Sequence, residues 1–298
     1  MTLAGDLKTF ERNVYSQHGE DGVVEWVFGR IAPRHRTCVE FGAWDGRALS
    51  NTFRLVAHDG WRAVYIEADR RKFESLKRTA AAYPAITALC SLVTASGESS
   101  LDCILERQGV PEDFDLLSID IDGDEYDVWE AITRFHPTMV IVEHNVSFPP
   151  EVRFIDRGGR AFMGSSAAAL DELAARKGYR LLGCVGTNLF FLREAEFSVL
   201  GVAPQSVAAA LGDKSPCYVF FNNAGEIVFG DRAVARQLRH VTYARPLKSW
   251  VRRALGMPTL YVLGDPHPGE GAVLKILRQL TAFTHRIRGI FQPLDTGL

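Results

Sequence analysis

The sequence has little cysteine, no long apolar run and no large excess of either charge. Its 298 residues include five cysteines, an odd number without a Cys-x-x-Cys pair, which disfavours a disulfide framework and a zinc ribbon. No stretch reaches the ~18 uninterrupted apolar residues that a membrane-spanning helix needs. The first residues lack a basic segment followed by an apolar core, which disfavours a secretory signal. We therefore expect a protein of the reducing cytoplasm.

Composition and charge indicate a globular chain with two unequal parts. Hydrophobic residues make up 47% and charged residues 23%, which excludes a disordered or collagen-like chain. The net charge is only −2, but eleven basic and two acidic residues lie between Arg232 and Ile290, a local charge of +9. We predict one domain over residues 1–195 and a basic C-terminal extension over residues 196–298.

Apolar strand patterns alternate with helical patterns in the first two-thirds, which predicts a mostly parallel sheet covered on both faces. Strands are expected at 36–41, 61–67, 86–93, 114–120 and 138–143, and helices at 47–58, 70–82, 101–108, 125–135 and 166–177. Two further strands, 180–185 and 189–193, are separated by three residues and must be antiparallel. This ending is typical of class I methyltransferases and unusual for a dinucleotide-binding fold.

The C-terminal extension is predicted to combine strands and helices. Residues 216–229 have the pattern of a hairpin that turns at residues 222–225. Residues 245–256 and 271–291 have the pattern of basic amphipathic helices. An α+β extension follows, which could attach to the inner face of an anionic membrane or associate with itself. No nucleic-acid-binding module is recognised, so no nucleic acid is expected.

A glycine turn flanked by acidic residues follows the first predicted strand. Its residues are Glu40, Gly42, Ala43, Asp45 and Gly46. Glycines let the backbone approach a ligand closely, and a following helix supplies free N–H groups. The middle glycine of the dinucleotide pattern G-x-G-x-x-G is missing, and the two acids would repel a pyrophosphate. The ammonium and sulfonium groups of S-adenosylmethionine suit this turn better.

Two further positions support a nucleoside ligand. Glu67 ends the second predicted strand, where a carboxylate can accept both ribose hydroxyls of an adenosylmethionine or a nicotinamide cofactor. Ser91, near the end of the third strand, is a candidate for the edge of the adenine. Glu67 and Ser91 are consistent with either cofactor and do not distinguish S-adenosylmethionine from a nicotinamide dinucleotide.

Acidic residues crowd the ends of the fourth and fifth predicted strands. Asp120 and Asp122 follow the fourth strand, and Glu143, His144 and Asn145 end the fifth. Asp120, Asp122 and Glu143 could hold a hard divalent cation such as Mg²⁺. The same acids or His144 could instead supply the general base that deprotonates an acceptor hydroxyl. Asp124 and Glu125 are expected to cap the next helix.

These motifs together resemble the FkbM-type S-adenosylmethionine-dependent methyltransferases. The resemblance spans about residues 13–194 and rests on YSQHGEDG, VEFGAWDG with SNT, YIEAD, DLLSIDIDGDEYDVW and VIVEHN. It implies a seven-stranded class I fold and methyl transfer to a hydroxyl, often of a sugar or polyketide. It assigns cofactor contacts to Glu40, Gly42, Gly46, Glu67 and Asp120. Gln17 in YSQHGEDG and Asn51 in SNT are further candidates for contacts with the cofactor.

The resulting hypothesis is an O-methyltransferase that acts on a glycan or another small molecule. Arg153, Arg157 and Arg160 lie in a long segment after the fifth strand and would suit an acidic or phosphorylated acceptor. Two alternatives stay open. One is a binding protein whose methyltransferase fold has lost catalysis, and the other is a nicotinamide-dependent oxidoreductase.

Overall fold

The computed structural model describes residues 7–121, 123–146, 148–157 and 164–212, together with the backbone of Val219–Phe221 and Ile227–Phe229. The chain divides into two compact units. The first holds Met1–Val146 and Pro150–Gly212, and the second holds Ser147–Pro149 and Asp213–Leu298. The predicted boundary near residue 195 stays a prediction, as do the basic helices at 245–256 and 271–291, which lie outside the described residues.

A seven-stranded sheet forms the centre of the first unit. Its strands are β1 (Thr37–Phe41), β2 (Arg62–Glu67), β3 (Ile86–Cys90), β4 (Leu116–Ile119), β5 (Met139–Glu143), β6 (Tyr179–Val185) and β7 (Asn188–Arg193). Their order is β3-β2-β1-β4-β5-β7-β6, and β7 is antiparallel to both β5 and β6. The other neighbouring pairs are parallel. This confirms the predicted class I methyltransferase fold with an antiparallel terminal hairpin.

Helices cover both faces of the sheet. They are α1 (Glu20–Phe28), α2 (Phe53–Asp59), α3 (Arg70–Ala82), α4 (Leu101–Arg107), α5 (Glu125–Ala131), α6 (Ala167–Arg176), α7 (Phe197–Leu200) and α8 (Val207–Leu211). Every residue of β1 and β4 is buried, because apolar side chains from alternate strand positions enter two hydrophobic clusters on opposite faces. The short helix α8 contacts β6 and belongs to the same unit.

Two predicted helices are shorter in the structure. The one expected from residue 47 begins only at Phe53, since Leu49 has a left-handed backbone (φ 62°) that interrupts a helix. The one expected to reach residue 135 ends at Ala131. Beyond it, the Asp102 carboxylate of α4 accepts hydrogen bonds from the N–H groups of Thr133 and Arg134, which hold the chain in another direction.

In the second unit, β8 (Val219–Phe221) pairs antiparallel with β9 (Ile227–Phe229), in agreement with the predicted hairpin. The residues proposed for its turn lie outside the described residues. Over the part of the chain that the structure describes, no helix is long and apolar enough to cross a bilayer.

Candidate active site

The turn that leaves β1 folds tightly against two neighbouring strands. The N–H groups of Gly42 and Ala43 both donate to the carbonyl oxygen of Ile66 in β2, at 3.1 Å. Gly42 has φ 77°, and a Cβ atom built on it would lie 1.7 Å from the carbonyl oxygen of Asp120. Gly46 has φ 72° and no room for a side chain beside Leu76. The glycines at both ends of the turn are therefore required by conformation and by space.

The free N–H groups expected after this turn are already occupied by side chains. Asp45 Oδ1 accepts from the N–H groups of Arg47 and Ala48 at 2.9 and 2.8 Å. Ser50 Oγ accepts from those of Thr52 and Phe53 at 3.2 and 3.0 Å. These are the donors that would face a phosphate in a dinucleotide site. The expectation that they are available was wrong, and the turn offers an anion little.

Glu40 lies buried beneath the turn and holds its second half. Its Oε2 accepts hydrogen bonds from Ser50 Oγ at 2.8 Å and Thr52 Oγ1 at 2.5 Å. The hydroxyl of Tyr65 is 2.8 Å from the same Thr52 Oγ1. Burial raises the pKa of Glu40 to about 7, although the two hydroxyl donors oppose this shift. A nearby cation would favour the charged form of this carboxyl group.

Glu67 connects the turn to the end of β2. Its Oε2 accepts from the N–H of Trp44 at 2.8 Å, and its Oε1 accepts from the N–H of Asp69 at 2.7 Å. A carboxylate has about four lone-pair positions. One position on each oxygen thus remains for a further donor, which is the arrangement that two ribose hydroxyls require.

Asn51 and Ser91 occupy the two sides of this site. The amide of Asn51 is buried and donates to Ser118 Oγ of β4 at 3.1 Å, so it joins the turn to the next strand. Ser91 lies directly after β3, and its N–H donates to the carbonyl oxygen of Glu67 at 3.1 Å. The structure brings both residues to the same edge as Gly42, and their contacts with a cofactor stay predictions.

The candidate catalytic residues of β4 and β5 lie at the same edge. The two strands are parallel neighbours, so Asp120 and Glu143 follow the same end of the sheet. Asp120 is exposed, and Glu143 is half-buried. His144 is buried, and its Nδ1 lies 2.6 Å from the carbonyl oxygen of Thr187. Because a carbonyl only accepts, Nδ1 carries the proton and Nε2 is the acceptor atom of the neutral ring.

Glu125 has a different role from the helix cap that we expected. Its Oε1 accepts from the N–H groups of Ile121 and Gly123, so it stabilises the turn between β4 and α5. Burial raises the pKa of this carboxyl group. Asp124 stands at the N-cap position of α5 without a side-chain hydrogen bond to the helix.

The predicted metal site finds no further support. Asp122 lies outside the described residues. Among those that are described, no three His, Cys, Asp or Glu side chains come together as a metal site.

Residues 13–21 form a compact segment, here called the strap, at the edge of the sheet where the candidate site lies. From the sequence alone, this segment is predicted only as a turn followed by the start of a helix. Asp21 Oδ2 accepts from three consecutive N–H groups, those of Val14, Tyr15 and Ser16, at 2.6 to 2.9 Å. The ring of His18 packs so closely on Gly186 that a Cβ there would lie 2.1 Å from it. The strap thus reaches the β6–β7 turn.

A buried pair fixes the strap to the sheet. Glu20 Oε2 accepts from the N–H of His18, and Glu20 Oε1 accepts from the amide of Asn188 at 2.9 Å. Asn188 pairs in register with Glu143. Gln17 is exposed within the strap, and its contact with the cofactor stays a prediction. Sequence analysis missed Glu20, Asp21 and Asn188, although the first two lie in the YSQHGEDG motif.

Two of the arginines proposed to bind an acidic acceptor have carboxylate partners within the protein. Arg153 pairs with Glu172 of α6 at 2.5 Å, and Arg157 pairs with Asp127 and Glu130 of α5 at 2.5 and 2.7 Å. Arg160 lies outside the described residues. Neither of these two arginines is therefore available to a phosphorylated acceptor without the loss of an ion pair.

One family model and several solved structures match part of this chain. The model of the methyltransferase FkbM domain matches residues 97–181, from the loop before α4 to the start of β6. No curated protein sequence matches.

Several solved methyltransferases are similar over part of the chain. A putative caffeoyl-CoA O-methyltransferase from Staphylococcus aureus is 16% identical with a TM-score of 0.42, covering 64% of this chain and 91% of that one. A SAM-dependent methyltransferase from Aquifex aeolicus is 11% identical with a TM-score of 0.37, covering 64% and 93%. The CurJ carbon methyltransferase is 8% identical with a TM-score of 0.39, covering 58% of this chain, which spans 52% of that protein's length.

The strand order is that of the class I methyltransferase fold. Within this fold, residues 97–181 match the methyltransferase FkbM domain.

Proposed function

We propose that this protein transfers a methyl group from S-adenosylmethionine to a hydroxyl oxygen of a sugar-like or polyketide-like acceptor. The observation that carries the choice of donor is the occupation of the turn's N–H groups by Asp45 and Ser50. A turn in which these four donors are occupied favours a cationic ligand over a pyrophosphate. Glu40 and Asp120 add negative charge on either side of Gly42.

The protein's own residues fit the donor. Gly42 allows the Asp120 backbone to pack directly against the turn, which brings that carboxylate to the site. Glu67 retains one acceptor position on each oxygen for a ribose diol. When bound, S-adenosylmethionine supplies an activated methyl group on a positively charged sulfur. Transfer of that group depends mainly on the alignment of the attacking oxygen.

The acceptor hydroxyl must lose its proton during transfer, and His144 is our preferred base. Its Nδ1–H is held by the Thr187 carbonyl, which fixes the ring orientation and leaves Nε2 as the basic atom. Asp120 and Glu143 are the alternative bases at the same edge. The pairing of Arg153 and Arg157 with carboxylates favours an acceptor without phosphate.

Calorimetry tests the donor. We expect saturable heats with S-adenosylmethionine and with S-adenosylhomocysteine, and no binding of NAD⁺ under the same conditions. Binding of NAD⁺ alone would overturn the proposal and restore the oxidoreductase alternative. Binding of the donor without transfer to any hydroxyl compound would favour the non-catalytic alternative.

Methyl transfer is tested with tritium-labelled donor and pools of neutral sugars and polyketides. His144→Asn is the informative variant, because the Asn amide can replace Nδ1–H and keep the bond to Thr187. We expect it to retain donor binding and lose roughly 10²–10⁴-fold in turnover, as for removal of a general base. Unchanged turnover would show that His144 is not the general base and would leave Asp120 or Glu143 as the candidates.

A further inference from the structure

Most of the exposed large apolar side chains lie at one edge of the sheet. Among the described residues, six such side chains are exposed, and five of them follow carboxyl ends of strands or lie in the strap beside them. These five form what we call the apolar rim: Val14, Trp44, Leu49, Leu92 and Val152, which are 39–66% exposed. Val199 in α7 is the exception. Scattered single apolar residues need no explanation, but concentration at one edge indicates an interaction surface.

Backbone geometry holds two of these side chains outward. Trp44 and Leu49 have φ values of 49° and 62°, in the left-handed region that residues with a side chain rarely adopt. Both belong to the turn after β1, and each side chain is about half exposed. Such strain is found mostly at functional surfaces, where the surrounding structure maintains it.

Basic residues lie beside the apolar rim. Arg70, Arg71 and Lys72 form the first turn of α3, directly after β2, and all three are exposed. Positive charge at a helix N-terminus opposes the helix dipole, so this placement does not serve helix stability. Lys72 Nζ lies 5.6 Å from the centre of the Trp44 ring, and the Arg47 guanidinium lies 5.7 Å from that of Tyr15.

These four cations differ from many other arginines of the described part of the chain. Arg153, Arg157 and Arg134 are ion-paired, whereas no described carboxylate lies within ion-pair distance of Arg47, Arg70, Arg71 or Lys72. The nearest acids in sequence, Asp45 and Asp69, accept hydrogen bonds from backbone N–H groups. Exposed cations therefore lie among the exposed apolar groups, and only the Asp69 carboxylate interacts electrostatically with two of them, Arg71 and Lys72, within the described residues.

We propose that the apolar rim and these four cations dock on an anionic membrane surface. Tryptophan and leucine beside arginine and lysine are the combination that binds the lipid interface, where the rings and chains enter the headgroup boundary and the cations meet anionic lipids. Docking would turn this edge of the sheet, where the candidate active site lies, toward the bilayer. This inference does not depend on the identity of the methyl donor, because the surface belongs to the protein alone.

Vesicle co-sedimentation of the full chain tests the proposal. With vesicles of equal parts phosphatidylcholine and phosphatidylglycerol we expect binding, and with phosphatidylcholine alone we expect little. The triple variant R70Q/R71Q/K72Q should weaken binding about fivefold for each cation removed. Leu49→Asp combined with Leu92→Asp should weaken it at least as much. Binding that ignores lipid charge would overturn the proposal.

Matched controls lie elsewhere on the same unit. Val199→Asp changes an equally exposed apolar residue outside the rim. Arg36→Gln with Arg62→Gln removes two exposed cations at the opposite edge, where β2 begins. Both controls should bind vesicles as the wild type does. Equal losses in the controls and the rim variants would contradict a localised surface.

The basic C-terminal extension could itself bind anionic vesicles, so a local readout is needed. Brominated lipids quench tryptophans that enter the interface, and Trp44→Phe should remove most of the quenching. Quenching that is unchanged in Trp44→Phe would overturn the proposal even if the chain still sediments. Dimerisation that the rim variants abolish, without an effect on vesicles, would assign the rim to a second copy of the chain. Thermal unfolding and far-ultraviolet circular dichroism verify that each variant is folded.

Discussion

The side-chain amide of Asn188 donates to the buried carboxylate of Glu20, which is 168 residues away in the chain. This bond joins the first helix to the last strand of the sheet. It also sets the orientation of the amide, since the nitrogen of the amide donates and the Glu20 oxygen accepts. The strap of residues 13–21 depends on it, because the other oxygen of Glu20 holds the N–H of His18.

Asn188→Asp should destabilise the protein by about 3 kcal/mol, since it places two carboxyl groups together in a buried site. Urea unfolding followed by circular dichroism measures the change. The double variant Glu20→Gln with Asn188→Asp restores a donor opposite a carboxylate and should recover much of the loss. If the double variant is no more stable than Asn188→Asp, the hydrogen bond is not the source of the effect.

Gly42→Ala should cost about 3 kcal/mol of folding stability and abolish donor binding. The new methyl group would lie 1.7 Å from a backbone oxygen, and the left-handed φ adds about 1–2 kcal/mol. Gly60→Ala is the matched control, because Gly60 has φ 69° but no atom within 4 Å of the added carbon. Gly60→Ala should lower the folding stability only by the cost of the left-handed φ, about 1–2 kcal/mol. Equal effects of the two substitutions in urea unfolding would contradict the close packing at Gly42.

Glu67→Gln should weaken S-adenosylmethionine binding by about tenfold to a hundredfold, the effect of losing one or two hydrogen bonds to a charged group. The amide offers only one acceptor atom where the carboxylate offers two. Calorimetry of the variant measures the loss. Glu74→Gln on α3, which removes only an exposed ion pair with Lys77, is expected to bind the donor normally.

The buried Glu40 predicts a pH-dependent stability. Its pKa is raised from 4.5 to about 7 in the folded protein. The neutral carboxyl group therefore makes its full contribution to the free energy of unfolding below about pH 4.5. Between about pH 4.5 and 7 the unfolded chain loses a proton that the folded protein retains, and stability falls by up to about 3 kcal/mol. Urea unfolding across this range measures the slope, and Glu40→Gln should lack that part of it.

The same group predicts the pH dependence of donor binding. A cationic ligand beside Glu40 favours its ionised form, so affinity should rise as the pH increases through about 7. Binding below that pH should release a proton, which calorimetry detects in buffers of different ionisation enthalpy. An affinity that does not change with pH, or that falls, would show that the cation lies elsewhere.

The sequence predicts the fold well because its main signals are local. Each strand is a short apolar run, and the two residues between β6 and β7 permit only an antiparallel pair. The glycine turn and the acids at the ends of β4 and β5 follow from strand position, because the carboxyl ends of parallel strands meet at one edge.

Long-range contacts account for what the sequence did not predict. The sequence around Asp45 and Ser50 does not show that their side chains accept hydrogen bonds from the backbone N–H groups of residues 47, 48, 52 and 53. The apolar spacing there resembles that of a helix, so the helix was predicted to begin at residue 47 and not at Phe53. The partners of Arg157 lie on α5, about 30 residues earlier in the chain, so its segment was interpreted as free to bind an acceptor. Likewise, the Glu20–Asn188 bond joins opposite ends of the domain.

The insertion of β7 between β5 and β6 affects how the chain can fold during synthesis. The backbone of β5 has no partner on one side until β7 leaves the ribosome, and its residues are almost entirely buried in the finished sheet. A nascent chain that stops before Arg193 thus exposes an apolar edge that can pair with other chains. Truncation before this point should yield aggregates rather than a smaller domain.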